Sequence, residues 1–74
     1  MSKPIEDFGE ALKRARLNQT PPATQFWIVT KAKDLGCKLG ESAVINIETG
    51  KTKRPRMSTI NILARIFPQL REYL

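Results

Sequence analysis

The segment Glu41–Arg56, ESAVINIETGKTKRPR, decides how the chain is read. With successive residues about 100° apart on a helix, Ala43, Val44 and Ile47 gather on one side. Glu41, Ser42, Ile45 and Asn46 gather on the other. Gly50 is a helix-closing residue, so Glu41–Glu48 is expected to be a short helix. After it come four cations in six positions, Lys51, Lys53, Arg54 and Arg56, braced by Pro55. A solvated loop has no need of that density. The outward helix side is also unusual, because a solvated face normally carries Lys, Glu and Gln. A carboxylate, a hydroxyl, a carboxamide and an isoleucine suit base edges instead: Asn pairs with adenine, Ser with several partners, Glu accepts from cytosine N4, and an apolar group meets the thymine methyl. Ile45 has a second reading as a core residue, since short helices in small folds often bury two sides.

Helical patterns continue on both sides of this segment. From Ile5 to Leu17 the apolar residues Phe8, Ala11, Leu12 and Ala15 recur at helical spacing, with Glu10, Lys13 and Arg14 on other faces. Thr20 followed by Pro21-Pro22 marks a helix start. The second helix is expected from about Pro22 to Leu35, stopping at Gly36. Its buried face would hold Ala23, Phe26, Val29 or Ile28, and Ala32, with Trp27 on the flank. CKLG then connects to the third helix. Ser58 reads as the cap of a fourth, Thr59–Phe67, broken by Pro68, after which QLREYL offers a last turn. Strand alternation is weak and no repeat is present. The expectation is an all-α, compact four- to five-helix fold forming one domain over residues 1–74.

Composition narrows the function classes. A chain of 74 residues has a small core, in which every apolar helix face must be used. No apolar run approaches the roughly 18 residues of a membrane span. The N-terminal MSKPIEDFGE mixes acid and base without an apolar h-region, so no membrane partner and a cytoplasmic location are expected. Cys37 is the only cysteine and there is no histidine. That excludes an internal disulfide, a Cys/His zinc site and most nucleophile–base pairs. No enzyme activity, metal, cofactor or small-molecule ligand is expected. Cys37 is expected to pack under its turn. The net charge of +6 comes from 13 Lys and Arg against 7 Asp and Glu. Such a surplus either aids solubility or attracts polyanions, chiefly nucleic acid. Its concentration in Lys51–Arg56 points to the second.

FGEALKRAR (Phe8–Arg16), the pair Thr24-Gln25, ESAVINIETGKTKRPR and STINILARIF (Ser58–Phe67) together resemble the lambdoid phage repressor and Cro class of helix-turn-helix domains, the xenobiotic-response-element type. The resemblance spans roughly Ile5 to Phe67. Its most specific part is IETGKTKRPR, whereas FGEALKRAR alone is shared by any amphipathic basic helix. What the resemblance implies is a lambda-repressor-like fold and a homodimer on a double-stranded DNA operator, working as a transcriptional repressor in the bacterial cytoplasm, associated with the nucleoid. The second helix would cross the phosphate backbone while the third enters the major groove. Glu41, Ser42, Ile45 and Asn46 become base readers. Thr24, Gln25, Lys51, Lys53 and Arg54 become phosphate contacts. Arg56 would lean toward a narrowed A·T-rich minor groove. Glu48 would pair with Arg16, a bidentate carboxylate partner, and fasten the third helix to the first.

The chain departs from that class in one respect. Gln25 precedes Val44 by 19 positions, about one helical turn more than the class usually shows, so either the second helix is longer, or KDLGCKLG forms a wider turn, or the assignment of Gln25 is wrong. Pairing is expected through apolar residues that one domain cannot bury: Ile62, Ile66, Phe67, Leu70, Tyr73 and Leu74. A monomeric core is the competing destination for them. The alternative function is a protein-binding module, an antitoxin or anti-repressor partner, using the apolar arc of the fourth helix (Ile60, Leu63, Ala64 and Phe67, widened by Ile62 and Ile66). RNA binding would call for exposed aromatics on a sheet, and the sequence suggests none.

Overall fold

The structure is a computed structural model and describes residues 8–74. It is all-α. Four α-helices, α1 (Phe8–Leu17), α2 (Gln25–Asp34), α3 (Glu41–Glu48) and α4 (Met57–Ile66), are followed by a 3-10 helix, Pro68–Tyr73. Among the described residues there is no strand, and no helix is long and apolar enough to cross a membrane. The expected start of the first helix at Ile5 lies outside the described residues.

Each helix buries residues three or four apart, as a one-sided apolar stripe requires. Phe8, Leu12 and Ala15 of α1, Ile28 and Ala32 of α2, Val44 and Ile47 of α3, and Ile60, Leu63 and Ala64 of α4 meet in one cluster. Gly9 sets the approach of α1 to α3. A Cβ there would fall on the carbonyl oxygen of Ile47 and stand 3.2 Å from its carbonyl carbon, so only glycine lets the two backbones come this close.

The start of α2 differs from expectation. Thr24, not Thr20, is the cap: it has extended backbone angles and its Oγ1 accepts from the Trp27 N–H at 3.0 Å. Ala23 is buried but precedes the helix. Phe26, expected inside, is 63% exposed, while Ile28 is fully buried. The two lie about 160° apart around the helix, and Ile28 shares its stripe with Ala32, so only one could face the core. Trp27 packs on the flank, its ring tilted against Phe67 at 5.8 Å with the Lys31 ammonium 5.3 Å from its centroid. The interval from Gln25 to Val44 is taken up by a ten-residue α2 and the connector Leu35–Gly40. Within it Leu39 is buried and Cys37 half-buried.

The fourth helix begins at Met57, with Arg56 as its cap residue and no side-chain cap bond. Ser58 therefore lies inside the first turn. The helix ends where Phe67 turns extended (φ −122°, ψ 95°), as a residue before proline tends to.

The expected pairing surface needs correction at three positions. Phe67, Leu70 and Tyr73 are 0%, 1% and 6% exposed and belong to the core. The Tyr73 ring meets Phe8 edge-on, centroids 5.2 Å apart. A 3-10 helix has three residues per turn, so positions three apart eclipse. Phe67, Leu70 and Tyr73 thus form one face, which folds back over α1. Ile62 and Ile66 are half-buried against the same core, and Leu74, one step off that face, is 50% exposed.

Candidate nucleic-acid interface

The third helix presents the residues expected on its outer side. Glu41 and Ser42 are exposed, Asn46 is half-buried, and Ile45 stands at 37% exposure while Val44 and Ile47 are buried. Ile45 is therefore a surface residue rather than a second core stripe. Gly50, at φ 86°, closes the helix in the left-handed region open to glycine. The Thr49 hydroxyl donates to the Ile45 carbonyl at 2.8 Å.

The basic segment is held in place by its backbone and by its proline. The Thr52 N–H donates to the Asn46 carbonyl at 3.0 Å, tying the loop to α3. Pro55 is buried, whereas Lys51, Lys53, Arg54 and Arg56 are all exposed. Proline carries no N–H and its backbone is stiff, so it anchors the loop without leaving a donor unsatisfied. The result is a run of exposed cations on a loop tied to the C-terminal end of α3.

The third helix is itself fastened by a polar clamp. Arg16 Nε donates to Glu48 Oε2 at 2.8 Å and Nη2 donates to Oε1 at 2.9 Å, the bidentate arrangement in which a guanidinium holds a carboxylate best. The two side chains are only 12% and 3% exposed. Arg16 Nη1 donates to the Ala23 carbonyl at 2.9 Å, and the Ala23 N–H donates back to the Arg16 carbonyl at 3.1 Å. Gln25 Nε2 completes the set by donating to Glu48 Oε1 at 3.3 Å. One arginine thus joins the end of α1, the approach to α2 and the last residue of α3.

Gln25 is consequently turned toward Glu48 and shares in positioning α3, a role sequence reasoning did not assign. Thr24 is exposed, and a hydroxyl that accepts as a helix cap still has its own hydrogen to donate. Gly9 was missed as well. A glycine inside an otherwise amphipathic helical pattern is the signal that would have flagged a close backbone approach. Among the described residues no group of cysteine and carboxylate side chains is arranged to hold a metal ion. Chemically, the surface combines exposed cations on an anchored loop with neutral and acidic hydrogen-bonding groups on a helix anchored from behind. Compared with known protein families, curated proteins and solved structures, the chain finds no match in any of the three.

Proposed function

We propose that the chain is a sequence-specific double-stranded DNA-binding regulator, acting as a repressor, with α2 and α3 as the two helices of a lambda-repressor-like helix-turn-helix. The observation that carries this reading is the anchored loop. Its buried proline and its bond to Asn46 hold Lys51, Lys53, Arg54 and Arg56 just beyond the C-terminal end of a helix whose outward side is made of Glu41, Ser42, Ile45 and Asn46. Phosphates would be met by Lys51, Lys53, Arg54 and the Thr24 hydroxyl, base edges by the α3 residues, and a narrow minor groove by Arg56. The Arg16–Glu48 clamp, with Gln25, fixes the angle at which α3 is offered.

Selection of bound sites from random duplex DNA tests this directly. The expected result is an enriched motif whose binding weakens steeply with salt. Failure to enrich any motif, or affinity for duplex no greater than for single-stranded RNA, would overturn it.

A domain of this size contacts few base pairs, too few to stand out among genomic competitors. Two copies on a near-palindrome, with recognition helices roughly 34 Å apart, meet that need. With Phe67, Leu70 and Tyr73 in the core, the surface left for pairing is Ile62, Ile66 and Leu74. Ile66→Glu should then reduce cooperativity on two half-sites without weakening binding to one, and unchanged cooperativity would remove this surface. The protein-binding alternative loses support because Ile60, Leu63, Ala64 and Phe67 are consumed by the core.

A further inference from the structure

Among the described residues Phe26 is the most exposed of the large hydrophobic side chains, at 63%, and it sits in the first turn of α2. Its neighbours are all committed. Gln25 bonds Glu48 at the end of α3, Trp27 leans on Phe67, and Ile28 enters the core. At about 100° per residue these commitments leave Phe26 facing outward, tilted toward the α3 side of α2 rather than the α4 side. Singly exposed apolar residues are ordinary. The setting of this one is not, because it follows the exposed Thr24 cap by two positions, and its neighbour Gln25 bonds Glu48, the last residue of α3, after which the cationic loop begins.

We propose that Phe26 is an apolar contact to the DNA backbone, its ring packed on a deoxyribose between phosphates held by Thr24 and by the loop cations. This rests on the duplex-DNA reading above. The cations select a polyanion as occupant of this surface, and deoxyribose is the apolar part of that polyanion. A helix that crosses the backbone meets sugar and phosphate, while base edges belong to α3. A phenyl ring offers no hydrogen bond with which to read a base. The contact therefore adds affinity that depends neither on sequence nor on counterion release, in contrast to every lysine and arginine nearby.

The test compares Phe26→Ala with Lys53→Ala in the full chain on the selected duplex, on unrelated duplex, and on the selected duplex with thymine replaced by uracil. Phe26→Ala should bind about tenfold more weakly on all three, as expected for losing a largely buried phenyl. It should keep the parental dependence of log K on log salt and the parental melting temperature. Lys53→Ala should lose about one unit of that salt slope. Parental affinity of Phe26→Ala beside a weakened Lys53→Ala would overturn this contact and leave the duplex reading standing. A loss that disappears on the uracil duplex would overturn the sugar assignment in favour of a thymine methyl. Altered sedimentation of Phe26→Ala without DNA would overturn it in favour of a protein contact. No binding of duplex by the parent would remove both proposals together.

Discussion

The loop Lys51–Arg56 and the 3-10 helix Pro68–Tyr73 adjoin opposite ends of α4. Each is six residues long and contains one proline. Their fates are opposite. The loop buries only its proline and exposes the other five residues, whereas the 3-10 helix exposes its proline and buries Leu70 and Tyr73. Charge explains one side of the contrast, since four of the six loop residues are Lys or Arg, which almost never bury unless paired. Periodicity explains the other, because apolar residues three apart eclipse in a 3-10 turn and make a face. Two short segments flanking one helix are thus divided into a displayed surface and a piece of the core. Conformation and composition together draw that division, not distance from the helix.

Deleting the chain after Pro68 should break the comparison most severely. It removes Leu70 and Tyr73, and loss of one buried leucine alone typically costs about 2 to 5 kcal/mol. The sum rivals the whole stability of a small domain. The expected outcome is loss of cooperative thermal melting followed by circular dichroism. Parental melting of the truncated chain would show that the terminal segment is dispensable and the contrast with the loop unreal.

The clamp behind the displayed surface comes next in size. Glu48→Ala leaves the Arg16 guanidinium nearly buried without its partner, and such uncompensated charges cost about 3 kcal/mol or more. Urea unfolding should show this loss. Replacing both residues with apolar ones of similar volume should recover much of it, because the two act as a coupled pair. If Glu48→Ala leaves stability untouched and changes base preference instead, Glu48 reads DNA and does not fasten α3.

Gly9→Ala sharpens the same point by backbone contact alone. Alanine favours a helix over glycine by about 1 kcal/mol, so an unconstrained site would be stabilised. Here the added methyl strikes the Ile47 carbonyl, and the overpacking should reverse the sign, to a net loss of about 1 to 2 kcal/mol. A raised melting temperature would mean that α1 and α3 separate freely.

The smallest expected change in stability belongs to the loop. Lys51→Ala and Lys53→Ala should each leave unfolding within about 0.5 kcal/mol of the parent, as exposed substitutions away from caps and core do. Each should still lower the salt slope of duplex binding. Loss of stability on removing either cation would place the loop with the 3-10 helix as a structural segment.

The sequence by itself determined the all-α class, both ends of α3 at Glu41 and Glu48, the exposed row of cations after Gly50 and the end of α4 before Pro68. Each follows from rules that act within about one helical turn, such as side-chain spacing around a helix, glycine at a stop and proline as a breaker. The pairing of Arg16 with Glu48 needed more, since the partners are 32 positions apart, and it was legible only through the resemblance. Tertiary structure alone decided that Ile28 and not Phe26 enters the core, that Gln25 turns toward Glu48, that Gly9 admits the Ile47 carbonyl, and that Phe67, Leu70 and Tyr73 close over α1. Both Phe26 and Ile28 are apolar, and both Thr20 and Thr24 are acceptable caps. Local preference is nearly degenerate between such candidates, and the choice falls to contacts between segments distant in the chain, where a buried ring or a filled space separates alternatives that propensity leaves equal.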